Sequence, residues 1–450
     1  MRSYDDRNVT SKEWDYNPRS GYKPMRLRNV VSRLRNRSYI VQPSPNRVAK
    51  IWPMISSIAV AFVLLLVPLF GAAVSAHAQT FTTLYSFVGF KQGQNPNGGL
   101  VLDPQGNLYG TSAGGIGQQG IVFEISPSNS ETLLYKFRIA TGVQPQSGLV
   151  RDSSGNFYGT TYAGGAHHNA GTIFELTPSG TETVLHSFAN NPGTRRKPPD
   201  GFAPFASLVF DAQGNLYGTT ASGGNYACNA PYGCGAVFKL TPSGTETLLY
   251  KFNGQTDGAF PIAPLIFDQA GNLYGTTVGG GSGDCGVVFK LTPAGTETVL
   301  YRFTCGADGG IPYGLIFDTN GNLYGTTADG GISNSQCPRG CGVVFKLTQS
   351  GTETVLYSFT GGPDGSGPGG SLVSDNSGRL YGAAYSGGDF NCGTLFGLTP
   401  AGSFAVLHTF TCGDGAGPNG SLILDNQGNL YGTTGYGGAY SFGTVFKLTP

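Results

Sequence analysis

Charge is what this sequence has least of. Only 12% of its 450 residues are Asp, Glu, Lys or Arg, and it holds 5 histidines, 3 methionines and 2 tryptophans. So low a charge excludes a highly charged disordered chain, and 73 glycines among plentiful Tyr and Phe argue against long helices. Catalytic signatures are missing as well. There is no H-E-x-x-H and no C-x-x-C, so no metalloprotease helix or redox pair is signalled. Runs that fit G-x-G-x-x-G include Gly115–Gly120 and Gly281–Gly286. Each leads into a strand rather than the helix N-terminus that a pyrophosphate needs, so neither is a nucleotide loop. Beyond residue 78 the single cluster of cations is Arg195, Arg196 and Lys197, read as a solvated loop tip. A phosphate-binding face needs more, which excludes nucleic acid as a partner.

The net charge of +1 hides a division. Residues 1–50 carry 12 Lys or Arg against 4 Asp or Glu, residues 51–78 carry none of these, and the remainder holds 15 against 22. The basic N-terminal extension (1–50) therefore precedes an uncharged apolar stretch, IAVAFVLLLVPLF at Ile58–Phe70. That stretch ends in Ala76-His77-Ala78, the A-x-A pattern of a cleaved secretory signal. Residues 51–78 are thus read as a signal peptide cut after Ala78, or as an uncleaved anchor with a basic cytoplasmic tail. A true start at Met25 or Met54 would give the first reading a more usual length. Both readings export residues 79–450, and membrane contact is expected only through this segment.

What the chain has in abundance is repetition. Tyrosines at 109, 158, 217, 274, 324, 381 and 431 recur every 49 to 59 residues, each with an aspartate six positions earlier. One unit reads PYGLIFDTNGNLYGTT, a variable loop, then GVVFKLTQSGTETVLYSF. Its four short apolar runs are strands a to d. D-x-x-G joins a to b and a turn such as T-P-S-G joins c to d, both with hairpin lengths and chemistry. Four antiparallel strands per ~50 residues is the period of a propeller blade. The last unit stops at VFKLTP without strand d, and TFTTLYSF at residues 80–87 is a strand d with no a to c before it. The expectation is an all-β, seven-bladed β-propeller of four antiparallel strands per blade, complete as it stands. Its ring is closed by the N-terminal strand 80–87 joining the last blade.

All eight cysteines fall in four consecutive units. Cys234, Cys285, Cys341 and Cys392 share one place just before strand c; Cys228 and Cys337 lie earlier in the b–c loop, and Cys305 and Cys412 just after strand d. Around the c–d hairpins, 285 faces 305 and 392 faces 412 at disulfide distance. The pairs 228–234 and 337–341 are short loops. Without ligand-spaced histidines, zinc is the weaker reading.

The D-x-x-G-N-L-Y-G-T-T and V-F-K-L-T-P-x-G-T-E-T-x-L-Y-x-F copies resemble the GloVer tandem repeat of exported bacterial proteins, over residues 80–450. That resemblance implies secretion or surface display, often with a C-terminal anchor, and no established activity. The sequence ends at Pro450 without a sorting tail. More loosely, P-x-G-L-x-x-D-x-x-G-N-L-Y is similar to the NHL-type propeller repeat, shared in outline with streptogramin lyases and gluconolactonase-like enzymes.

Candidate site residues lie on the face bearing the variable b–c and d–a loops. Five d–a loops read D-G-x-x-P and carry Asp200, Asp257, Asp308, Asp364 and Asp414. They are read either as carboxylates ringing the channel mouth, holding a cation such as calcium or sugar hydroxyls, or as plain Asp-Gly turns. His167 and His168, in a b–c loop, are the best-placed base or metal ligands; His186 and His408 stand where strand d otherwise has tyrosine. No catalytic residue or cofactor is assigned. The functional expectation is a monomeric extracellular binding module for a glycan or a cell-surface protein. A lyase- or lactonase-type propeller enzyme and a structural envelope component are the alternatives.

Overall fold

The computed structural model describes residues 79–89, 92–115, 117, 119–167, 169–189, 200–229 and 232–450. The basic extension, the signal or anchor segment, the cluster Arg195, Arg196 and Lys197, and His168 lie outside the described residues. Each repeat folds as one antiparallel sheet in the order a-b-c-d. In blade 4 these are Ile266–Phe267, Leu273–Thr277, Val287–Leu291 and Glu297–Arg302. Seven such blades are present, and the all-β propeller stands as the sequence predicts.

The a–b hairpin shows why aspartate precedes tyrosine by six. Asp268 accepts from the amides of Ala270 and Asn272, from Asn272 Nδ2 at 2.7 Å and from the Tyr274 hydroxyl at 3.1 Å. Gly271 closes the turn at φ +79°, where a side chain would be strained. Corresponding bonds to Asp103, Asp152, Asp211, Asp318, Asp375 and Asp425 repeat the arrangement. Burial pushes these seven carboxyls up, but hydrogen bonds from the turn outweigh it and hold them below the usual range.

Blade-to-blade packing uses both sheet faces. Leu273 packs toward blade 3, with Val237 and Phe252, while Tyr274 meets Phe317 of blade 5 edge-on at 5.1 Å. Strand-d phenylalanines pack on strand-c phenylalanines of the next blade: Phe137 on Phe174, Phe252 on Phe289, Phe303 on Phe345, with ring centroids 5.0–5.1 Å apart. The same contact closes the circle, because Phe87 meets Phe123 of blade 1 at 5.0 Å. In several blades the Thr that follows the L-Y-G glycine stitches the inner strands. Thr111 Oγ1 donates to the Ser147 carbonyl, Thr276 to that of Tyr313 and Thr433 to that of Gly98, each in the following blade.

The N-terminal strand Thr80–Ser86 pairs antiparallel with Thr444–Thr449 as strand d of blade 7. Phe81 lies flat on the His408 ring, 3.7 Å between centroids. Ring closure by the N-terminal strand is therefore part of the fold.

Candidate functional site: the mouth of the loop-bearing face

Strand b ends and strand a begins on the same face, opposite the D-x-x-G turns, so the b–c and d–a loops share that face. All four disulfides lie there, pairing Cys228 with Cys234, Cys285 with Cys305, Cys337 with Cys341 and Cys392 with Cys412. They cross-link loops of blades 3 to 6.

The five D-G aspartates turn outward. Asp257 accepts from the Tyr250 hydroxyl of its own strand d at 2.8 Å and from the amides of Asn253 and Gly254. Asp308 and Asp364 take the hydroxyls of Tyr301 and Tyr357 and the amides of Thr304 and Thr360. Asp414 takes the His408 ring nitrogen and the Thr411 amide; Asp200 takes the Ala189 amide and lies 3.5 Å from His186. Each carboxylate thus clasps the outermost strand of its own blade to the loop that leaves it. The glycine that follows is demanded by packing: Gly258 has φ +103°, and a Cβ there would stand 2.3 Å from Thr277 Oγ1. His167 is exposed in the b–c loop of blade 2. Among the described residues no three His, Cys, Asp or Glu are grouped to hold a metal ion.

Beside these clasps stand the glutamates of T-E-T, one carboxylate oxygen of each buried without a hydrogen-bond partner: Glu131, Glu182, Glu246, Glu297 and Glu353. Burial, and then the previous blade's Asp257, push Glu297 up to about 7 against a weak opposing pull from Arg302. Burial and Asp308 do the same to Glu353. Because the folded state holds these protons more tightly, the stability these two glutamates contribute is fully present below the ordinary carboxylate range and is lost as pH rises from about 4.5 to about 7. Substituting Glu297→Gln and Glu353→Gln together is expected to raise the melting temperature at pH 8 by about 2–5 °C and to change it little at pH 4. An equal rise at both pH values in a thermal melt would exclude this origin.

At the axis the blades differ. The residue after the strand-a proline is polar in Asn97, Gln146 and Asn419 and apolar in Phe205, Ile262 and Tyr313; all six are half-buried, and blade 6 has Gly369. Small residues follow, so the inner strands nearly touch: a Cβ on Gly98 would stand 2.5 Å from the Ser147 carbonyl oxygen. Strand b runs seven residues in blades 5 to 7, as Leu323–Asp329, Leu380–Ser386 and Leu430–Tyr436, against five in blades 1 to 4. The extension carries Asp329, Tyr385 and Tyr436 above the inner strands. Both rings lie against Gly417: a Cβ there would stand 3.0 Å from Tyr385 and 3.3 Å from Tyr436. Tyr313 lies on Gly310–Phe317, which pairs with Leu323–Asp329 (Gly310 opposite Asp329), and burial, with Asp329 and Tyr385, pushes its hydroxyl up. Asp329 is held by Arg339, Nε to Oδ2 3.4 Å. On the other side Tyr162 meets Phe205 edge-on at 6.1 Å, and Asn97 Nδ2 donates to Gln146 Oε1 at 3.3 Å. Tyr162, Tyr385 and Tyr436 are 40, 42 and 50% exposed.

The model of the Gloeobacter/Verrucomicrobia repeat matches residues 70–228, 194–373 and 331–450. The chain belongs to that family. Among curated proteins none matches it. Among solved structures, virginiamycin B lyase of Staphylococcus aureus superposes with a TM-score of 0.56 at 14% identity, over 83% of this chain and 99% of that one. The extracellular domain of a hybrid two-component system of B. thetaiotaomicron gives 0.53 at 14% identity, over 82% of this chain and 41% of that one. At such identities the likeness is one of fold, and it fits the NHL-type resemblance.

In this Gloeobacter/Verrucomicrobia repeat chain the mouth tyrosines carry no motif of their own. Their signal is departure from the repeat. After T-T the copies read Ala-Ser, Val-Gly or Ala-Asp, and Tyr162, Tyr385 and Tyr436 break that small-residue rule.

Proposed function

We propose that the protein is an exported, extracellular binding module that takes its ligand at the mouth of the loop-bearing face. The observation that carries this reading is the convergence there of the repeat's departures, Tyr162, Tyr313, Tyr385 and Tyr436, around half-buried amides. The remaining copies keep to the blade consensus, so variation is concentrated where a ligand would be met. Four disulfides fit an oxidising compartment, and they brace the loops around the mouth, which lowers the entropy lost on binding. Export is assigned to residues 51–78, as signal or anchor. The D-G aspartates act as braces, and His167 as an exposed loop residue.

Binding of the purified protein to an array of glycans and to extracted cell-surface proteins tests this. Wild-type protein is expected to retain a ligand, and Tyr385→Ala with Tyr436→Ala to lose at least ten-fold in affinity, while Asp257→Asn changes it less than two-fold. Binding unaffected by the tyrosine pair would place the site elsewhere. Release of a chemically altered ligand would favour the lyase or lactonase alternative.

A further inference from the structure

The mouth is not equivalent all round, and its asymmetry bears on the chemistry of the ligand. Blades 5 to 7 bring together Tyr313, Tyr385 and Tyr436, with Asn419 following Pro418 on the strand that passes beneath the last two rings. Two exposed rings set side by side against the backbone of Gly417 form the platform. An apolar ligand alone would leave the tyrosine hydroxyls and side-chain amides unpaired. An anionic ligand would find Arg339, the cation that an ion pair places beside this cluster, already engaged by Asp329. A cationic ligand would have to draw Asp329 away from Arg339. What remains is a ligand with an apolar face to lie on tyrosine and uncharged hydroxyls for the amides and phenols.

We infer that the platform Tyr313–Tyr385–Tyr436 binds a neutral oligosaccharide, one pyranose ring lying with its C–H face on Tyr385 or Tyr436 and its hydroxyls on Asn419 and the Tyr313 hydroxyl. This rests on the reading of the mouth as the binding site. The next sugars run along the arc toward Asn97 and Gln146, whose mutual hydrogen bond marks the far side of the same ring. Tyr385 and Tyr436 supply contact area, and Asn419 selects hydroxyl orientation.

Isothermal titration of the full-length protein with cellohexaose, mannohexaose and chitohexaose, set against hexagalacturonate and a fully deacetylated chitosan hexamer, tests it. At least one neutral hexamer is expected to bind. Tyr385→Ala and Tyr436→Ala should each weaken it about ten-fold, and Asn419→Ala about five-fold, with the melting temperature unchanged since both rings are surface groups. Binding of only the charged hexamers, lost on the tyrosine substitutions, would overturn the neutral class and leave the mouth as the site. Neutral binding that survives both substitutions would overturn the platform. If no hexamer binds while an array ligand is still lost with Tyr385, the ligand is not a neutral sugar; if nothing at all binds, both readings fall.

Discussion

Deleting residues 79–88 is expected to abolish the cooperative thermal transition of the whole propeller. Those residues are a small part of the chain, yet they supply the entire outer strand of blade 7 and the last link of the circle. Phe87 is fully buried, its ring against Phe123 of blade 1 and its amide bonded to the Gly443 carbonyl at 3.0 Å. Phe81 covers His408 of blade 6 and also lies 5.6 Å from Phe446. The strand therefore ties blades 6, 7 and 1 together across the join. Loss of Phe81, Leu84 and Phe87 forfeits about 1.5–3 kcal/mol each in burial, comparable in sum to the whole stability of a typical domain. It also leaves Thr444–Thr449 as an unpaired edge, open to association with other chains. Calorimetry should show a broad or absent transition, and size-exclusion chromatography should show aggregates. Adding a synthetic 79–88 peptide should restore part of the transition. A deletion variant melting sharply within a few degrees of the parent would show that the ring does not depend on this closure.

Much of this architecture is legible in the sequence because its determinants are short-range and copied. D-x-x-G-N-L-Y announces a hairpin within seven residues, and the structure satisfies its aspartate within those same seven. The split last blade is legible because one strand d is missing at one end and present at the other. The cysteine pairs follow from hairpin geometry, since residues 285 and 305 stand on neighbouring strands just beyond a paired register. The direction of the D-G carboxylates is harder to read. A turn aspartate can face the axis or the rim, and the choice is made by a tyrosine seven residues upstream, as Tyr250 makes it for Asp257. The mouth is harder still. Tyr162, Tyr313, Tyr385 and Tyr436 lie in different copies and at different repeat positions, and only the stacking of blades 5 to 7 brings the last three together. The proposed site sits in the exceptions to the repeat, and aligning the copies averages them away.

The central glycine of G-N-L-Y-G-T-T belongs to the brick itself, and substituting it is expected to cost nearly as much as removing a core phenylalanine. Gly275 stands directly opposite Phe289 in the b–c pairing. A Cβ at Gly275 would come 2.7 Å from Phe289 Cζ and 2.8 Å from Leu265 Cδ2. The Phe289 ring has nowhere to retreat, since it is fully buried and braced edge-on by Phe252 of blade 3 at 5.1 Å. Gly275→Ala should therefore destabilise by about 1–3 kcal/mol through overpacking. Phe289→Ala should cost about 3–5 kcal/mol through the cavity it leaves between two blades. The two share one space, so they should not add: in the double variant the new methyl enters the vacated volume and recovers about 0.5–3 kcal/mol of the summed loss. Urea titration of the four proteins at one pH measures the cycle, and strict additivity would mean that the ring does not need the glycine. The same approach recurs in other blades, with Gly110 against Phe123 at 2.6 Å and Gly382 against Phe396 at 2.5 Å. The motif keeps its glycine because a phenylalanine from the next strand lies across the backbone there, and every blade needs that phenylalanine to meet its neighbour.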